Sequence, residues 1–284
     1  MFKKSPLKAT RLHKQKRRVL IVKISFVVLC IIIFIGALTW LSRARAFALT
    51  SVAVSGNVGV NAQDVETLAE KEIAGAYVGL FAKSNSFIYP KNKIEKDIAA
   101  MYPSISSIDI QPQAHVLSVK IGERKPAYAW CSGLPTDSSD SKCFFMEDSG
   151  YIFSEAPHFS GNAYFVFYGG IGSSTNSIGT HFLSSNEIAA FAAFKSTLEQ
   201  KGVVITSLFV RDMGVREASL LKHGKIIFKA SDDLSSISNS IQLLKKNTQL
   251  LNSAGTTTLD YIDLRFGNKV YYKFVGDNPI QTNQ

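Results

Sequence analysis

Residues 24–41 read ISFVVLCIIIFIGALTWL, eighteen positions with no charge and no proline. A helix rising 1.5 Å per residue covers roughly 27 Å over such a run, close to the hydrocarbon thickness of a bilayer. Residues 19–22, VLIV, extend the run, and Lys23 has a stem long enough to snorkel toward the headgroups. Trp40 stands at the far boundary, where an amphipathic ring is favoured. Before the run come nine basic residues and no acid: Lys3, Lys4, Lys8, Arg11, Lys14, Lys16, Arg17, Arg18 and Lys23. After it, only Arg43 and Arg45 follow closely. This asymmetry predicts a cytoplasmic N-terminus and about 240 residues outside. The rival reading is a cleaved signal peptide ending at the small-x-small triplet Ala44-Arg45-Ala46. The apolar run is longer than a usual signal core and the basic segment is long, so an anchor is the better fit.

The chain of 284 residues has Lys+Arg 32 against Asp+Glu 22, a formal net charge of +10. Because nine of the basic residues sit in 1–23, the rest of the chain holds 23 basic and 22 acidic residues and is nearly neutral. A nucleic-acid-binding domain needs a basic stripe on its folded part, and none is visible. The 46% hydrophobic content is sufficient for packed cores. Three cysteines are too few for a disulfide framework and lack structural-zinc spacing. Cys30 lies in the apolar run, whereas Cys131 and Cys143 flank a Ser/Asp/Gly-rich loop. If that loop is outside, a Cys131–Cys143 disulfide is permissible; the alternative is two free thiols at strand ends.

Beyond the run, residues 51–55 (SVAVS) alternate like a strand and stop at Gly56-Asn57. Residues 62–74 put Val65, Leu68, Ala69 and Ile73 on one helical face. A Gly/Ser/aromatic connector spans 75–90, and a second helix is expected over 92–102 with Ile94, Ile98 and Met101 inward. Two strands come next, one carrying Ile108 and Ile110, the other Leu117, Val119 and Ile121. This strand–helix–helix–strand–strand order can bury a core in about 75 residues.

Strands are next expected at 127–131, 143–146 and 151–153, the last two joined by the turn at 147–150, and at 164–168. Residues 169–180, GGIGSSTNSIGT, form a loop that lacks the Lys-Ser/Thr of a phosphate-cradling motif. Ser184-Ser185-Asn186-Glu187 is a capping box opening a helix to about Gln200, with Ile188, Phe191, Ala192 and Leu198 inward. Strands at 204–211, 218–222 and 226–230 precede a helix over 234–251, with Ile237, Ile241, Leu244 and Leu251 at helical spacing. The final hairpin is LDYIDLRF, Gly267-Asn268, KVYYKF. Its alternation puts Ile262, Leu264 and Phe266 inward, opposite Tyr261, Asp263 and Arg265, with Val270, Tyr272 and Phe274 sharing a face of the return strand. Structure is expected to end at 276–279, leaving a polar tail.

No catalytic constellation is evident. His13, His115, His158, His181 and His223 are scattered and show no metal-ligand spacing. Ser139-Asp140-Ser141-Lys142 matches S-x-x-K, but no S-D-N or K-T-G accompanies it. Asp263 and Arg265, two apart on one strand face, are read either as a structural ion pair with a neighbouring strand or as a functional group, for partner recognition or as a catalytic acid. The last strand, with Tyr271 and Tyr272, has the character of a sheet edge able to accept a strand from another chain; its alternative is an edge covered by the protein's own chain.

Several of these stretches together resemble the FtsQ/DivIB family of bacterial division proteins. They are Val54, Gly56 and Asn57; Leu80 and Phe81; Tyr102 and Pro103; Glu123-Arg124-Lys125-Pro126-Ala127-Tyr128-Ala129-Trp130; Asp148, Gly150 and Phe153; and YIDLRFGNKVYYKF at 261–274. The acid spacing of the Asp148 pattern departs by one residue, and the cysteine pair is a departure too. The resemblance implies an α+β chain. It has a basic cytoplasmic tail (1–23), a single N-terminal transmembrane helix (24–41), a POTRA domain of βααββ order (47–124), a mixed β-sheet domain with two helices (125–274) and a polar tail (275–284). It further implies a non-enzymatic, cofactor-free scaffold in the plasma (inner) membrane at the division septum. The partners implied are small single-span coiled-coil proteins of the FtsB and FtsL kind, and other divisome proteins at the POTRA-like domain; no nucleic acid is implied. By position, the contacts implied for the FtsB-like strand are Phe266, Lys269, Val270, Tyr271, Tyr272 and Lys273. The competing classes are a POTRA-bearing envelope assembly or secretion component and an anchored cell-wall hydrolase. The first lacks further POTRA repeats or barrel-like strands here, and the second lacks a nucleophile or acid/base pair.

Overall fold

Helix α1 (Leu7–Ser42) is continuous over 36 residues in a computed structural model that describes residues 7–133, 142–157, 163–170, 177–247, 258–267, 269–276 and 280–283. Its Lys16–Ser42 part, 27 residues reaching a mean hydropathy of 3.0, is long and apolar enough to cross a membrane, alone in this among the described residues. The helix therefore begins well before residue 24. Leu, Lys, Arg, Gln and Ala dominate that lead-in, and no proline interrupts 7–42. The chain divides into two compact units, Met1–Glu123 and Arg124–Gln284.

In the first unit α1 is followed by β1 (Ser51–Ser55), α2 (Ala62–Ile73), β2 (Ala76–Tyr77), β3 (Phe81–Ala82), α3 (Lys91–Met101), β4 (Ile105–Gln113) and β5 (Val116–Glu123). The sheet order is β1-β5-β4, with β1 parallel and β4 antiparallel to β5. Asn61 caps α2 by accepting from Gln63 N at 3.1 Å. Val65, Ala69 and Ile73 of α2 pack with Ile94 and Ile98 of α3 against Leu117, Val119 and Ile121. Met101 is half exposed rather than inward; it is the last residue of α3, beyond the buried Ile94 and Ile98. A register shift between Ile105 and Ser107 lets Ile105 and Ile110 both reach the core despite their odd spacing. The connector contains the short hairpin β2–β3, which the sequence does not announce because each strand is only two residues.

Glu123, at the end of β5, closes this unit. Its carboxylate accepts from Val58 N at 2.6 Å, Gly59 N at 2.9 Å and Val60 N at 2.9 Å, clamping the loop that leads into α2. Partial desolvation pushes its pKa up, but these three amides outweigh it and hold the carboxyl below its ordinary value. Gly56 has φ +81°, and a Cβ there would lie 2.3 Å from Ile121 O, so only glycine fits.

Among the described residues the second unit is a ten-stranded mixed sheet with two α-helices. Its strands are β6 (Tyr128–Cys131), β7 (Cys143–Met146), β8 (Ile152–Glu155), β9 (Val166–Tyr168), β10 (Ile205–Val210), β11 (Val215–Leu220), β12 (Lys225–Lys229), β13 (Leu259–Phe266), β14 (Lys269–Phe274) and β15 (Ile280–Asn283). Helices α4 (Ser185–Gln200) and α5 (Leu234–Asn247) are inserted before β10 and after β12. The spatial order is β15-β14-β13-β12-β11-β10-β9-β6-β7-β8. Parallel pairs occur at β6/β9, β9/β10 and β12/β13. The expected capping box opens α4: Ser184 Oγ accepts from Glu187 N, and Glu187 accepts from Ser184 N. Phe194, not Ala192, joins Ile188, Phe191 and Leu198 in the core, since the longer side chain reaches the sheet. Leu251 lies outside the described residues, as do Ser139, Asp140 and Ser141.

Trp130 is 2% exposed and donates to Gly169 O at 3.2 Å. Cys131 and Cys143 face each other across β6 and β7 with a Cα–Cα separation of 4.1 Å and form a disulfide. The acid that organises the turn before β8 is Glu147, three residues before Gly150, and not Asp148. It receives two 2.7 Å bonds from Arg124 Nη1 and one of 2.6 Å from Ser149 Oγ. The Arg124 guanidinium also lies 4.3 Å from the centre of the Tyr151 ring.

Two outcomes are expected. Glu123→Ala lowers the stability of the first unit at pH 7 by about 2 kcal/mol. The Glu123 contribution is fully present above about pH 4.3, the unfolded carboxyl value, and fades as pH falls through the lower folded value. Denaturant melts of wild type and variant should therefore converge as the pH is taken well below the ordinary carboxyl value. Trp130→Ala lowers the stability of the second unit by roughly 3–5 kcal/mol, read in thermal or denaturant unfolding.

Candidate functional site

The C-terminal edge of the large sheet is built from β13, β14 and β15. The β13–β14 register pairs Tyr261 with Lys273, Ile262 with Tyr272, Asp263 with Tyr271 and Phe266 with Lys269. Gly267, at φ +68°, supplies the left-handed turn conformation a tight hairpin needs. Ile262 and Val270 are buried in the core beneath α4 and α5, with Tyr272 and Phe274 packed beside them. The opposite face carries Asp263 and Tyr271 in one row, continued across the sheet by Ile227, Glu217 and Phe209.

A shift in register between Asp263 and Phe266 turns Phe266 off the inward face. It is 54% exposed, correcting the expected inward position, and packs edge-to-face on Tyr271 at 5.0 Å. Asp263 and Arg265 pair with each other rather than with another strand. Arg265 Nε and Nη2 donate to Asp263 at 2.9 Å (Oδ1) and 2.6 Å (Oδ2). Asp263 is 5% exposed, and this bonding raises the Arg265 guanidinium pKa further above neutrality. The guanidinium also lies 5.6 Å from the centre of the Phe266 ring, so a buried carboxylate indirectly sets an exposed aromatic. Glu217, nearly buried, pairs on the same face with Lys225 at 2.9 Å and with Arg211.

Residue by residue, Phe266 and Tyr271 meet as an aromatic pair. Lys269 and Lys273 alternate with the core residues, and Lys273 Nζ is 4.0 Å from Asp260. Val270 and Tyr272 have their side chains committed to the core and offer only main chain at the edge. Sequence reasoning missed that β14 is not the edge strand. β15 pairs with it antiparallel, Lys269 with Asn283, Val270 with Thr282, Tyr271 with Gln281 and Tyr272 with Ile280. The alternative of an edge covered by the chain itself is thus the observed one, and the polar tail contains a strand. Only the alternation of Ile280 and Thr282 after Pro279 hinted at it, in a segment too short for a period to register.

Compared with protein-family models and with curated proteins, the chain matches none.

Other chemistry is sparse. Among the described residues no three His, Cys, Asp or Glu side chains are placed to hold a metal. His115 Nδ1 is 2.9 Å from Ala48 O, and the His181 ring packs on Tyr151. A groove of about 510 Å³ between α4 and α5 is lined by Ala190, Ala193, Phe194, Lys201, Leu234 and Ser238. Its polar groups bond to one another: Lys201 Nζ donates to Ser238 Oγ at 3.1 Å, and Asp233 accepts from the first amides of α5.

Asp263→Ala should cost about 2 kcal/mol, the worth of a charge-assisted bond. It should also release Phe266, read as loss of the Phe266–Tyr271 ring contact in aromatic NMR.

Proposed function

We propose that the chain is a single-pass membrane scaffold of the FtsQ/DivIB type, with its N-terminus cytoplasmic and both folded units outside. In this reading residues 47–124 are a POTRA domain, the second unit is the partner-holding β-domain, and the protein acts without catalysis. It binds a small coiled-coil pair of the FtsB and FtsL kind by strand addition at the C-terminal edge. It thereby supports septal recruitment and control of peptidoglycan synthesis.

The observation that carries the reading is the construction of that edge. The large sheet ends on β15, and among the described residues these four residues are what covers the outer side of the hairpin β13–β14. Beside this short cover stand the fixed aromatic pair Phe266–Tyr271 and two lysines. Main-chain pairing supplies affinity in strand addition, and alternate side chains supply specificity. Further support comes from the βααββ order of the first unit and from its place directly after a helix able to cross a membrane. The disulfide suits an oxidising compartment.

An incoming strand must take the place of β15. Truncation after Gly276 should therefore strengthen capture of the coiled-coil partners in membrane co-purification. Phe266→Ala combined with Tyr271→Ala should reduce capture at least tenfold, equivalent to about 1.4 kcal/mol. Undiminished capture by the double variant would move the site off this edge. Loss of capture on truncation would mean that the partner docks against β15 itself.

A further inference from the structure

The connector between α2 and α3 carries a surface that neither the core nor the C-terminal edge accounts for. Its hairpin β2–β3 turns through Val78 and Gly79, both at positive φ (49° and 73°), closed by Leu80 N donating to Tyr77 O at 2.9 Å. Asn-Gly fits such a turn without strain, whereas valine is β-branched and disfavoured at positive φ. Val78 is also 93% exposed, so nothing inside the unit repays its presence. Leu80 and Ile88 are exposed as well, and Phe87 is 77% exposed although fixed edge-to-face on Phe47 at 5.3 Å.

The connector is locked to the end of α1. Arg43 Nη2 donates to Gly79 O at 2.9 Å, and Asn85, 5% exposed, donates through Nδ2 to Ser42 O at 3.0 Å. Ser86 N donates to Phe47 O at 2.9 Å, and Leu49 N to Ser84 O at 2.7 Å. Ser42 lies two residues beyond Trp40, itself 77% exposed at the end of the apolar helix. At 1.5 Å per residue the point on α1 where Asn85 is bonded thus lies about 3 Å past that tryptophan. The basic residues at the end of α1 and in the connector are Arg43, Arg45 and Lys83; Glu72, at the end of α2, lies within electrostatic reach of Lys83 and offsets part of its charge, whereas Arg45 follows a stretch with no acid before Asp64.

We propose that Val78, Leu80 and Phe87 insert into the outer headgroup layer of the bilayer that α1 crosses, with Arg45 and Lys83 on anionic lipid, so that the first unit lies on the membrane. The inference rests on the reading of α1 as a membrane span. The occupant is lipid rather than a protein because the patch continues the lipid-facing surface of α1 and its charges complement an anionic surface.

The test uses the full chain with Cys30→Ser, reconstituted into nanodiscs containing anionic lipid. Single cysteines replace Ile32, Val58, Val78 or Phe87 and carry an environment-sensitive fluorophore. Val58 is the control, an equally exposed valine on another loop of the same unit. Labels at 78 and 87 should emit to the blue of the label at 58. They should lose intensity to headgroup-level lipid nitroxides while resisting aqueous iodide. Adding Val78→Asn, which suits the turn, should remove the blue shift at 87 without changing the reading at 32. If 78 and 87 behave like 58 while 32 is quenched by deep lipid nitroxides, α1 spans and this inference is overturned. If 32 is not quenched, the span fails and the inference falls with it.

Discussion

A seam of three residues joins the two halves of the large sheet. Strand β9 is only Val166–Tyr168, yet it pairs in parallel with β6 on one side and β10 on the other. In the strand ladder of the described residues, the β6–β7–β8 meander and the six strands from β10 to β15 meet at this seam. Parallel pairing is slightly weaker per residue than antiparallel, and a seam this short needs side-chain support. It has that support: Phe167, fully buried, lies between Trp130 and Leu208 in register and touches the rings of Tyr128, Phe165, Phe182 and Phe191 at 5.1–6.0 Å. Aromatic burial at that point carries what three ladder positions do not.

The C-terminal edge inherits this arrangement. Because β10 to β14 share the core beneath α4 and α5, Val270 and Tyr272 are held from below and the last strands keep a fixed register. The opposite face is organised by paired charges, Glu217 with Lys225 and Arg211, and Asp263 with Arg265. The edge is thus packed from below, carries the aromatic pair Phe266–Tyr271 and is covered by the four residues of β15, the features on which the proposed strand exchange rests. In the first unit, carboxylate clamping plays a comparable part: Glu123 ties the end of β5 to the loop before α2 without adding any apolar surface.

Most helices and strands were legible because their periodicities are strong. The capping box at Ser184–Glu187, the α2 face of Val65, Ala69 and Ile73, and the alternation Leu117, Val119, Ile121 each announce a buried side by spacing alone. Failures fall where a register shift or a very short element intervenes. Strict alternation puts Phe266 inward, and the irregularity after Asp263 reverses it. Hairpin β2–β3 and strand β15 are too short to show a period. Glu147 organises its turn through its bonds to Arg124 and Ser149.

By itself the sequence determined the apolar helix with its basic lead-in, the α+β character of the residues beyond that helix, and the separate cores of two units. Those features depend on composition and local spacing, which the chain carries residue by residue. Only the tertiary structure decided the strand order, the pairing of Asp263 with Arg265, the exposure of Phe266 and the covering of β14 by β15. Each of these depends on which distant segments become neighbours and on where a ladder slips by one residue, and backbone hydrogen bonding between strands is blind to side-chain identity.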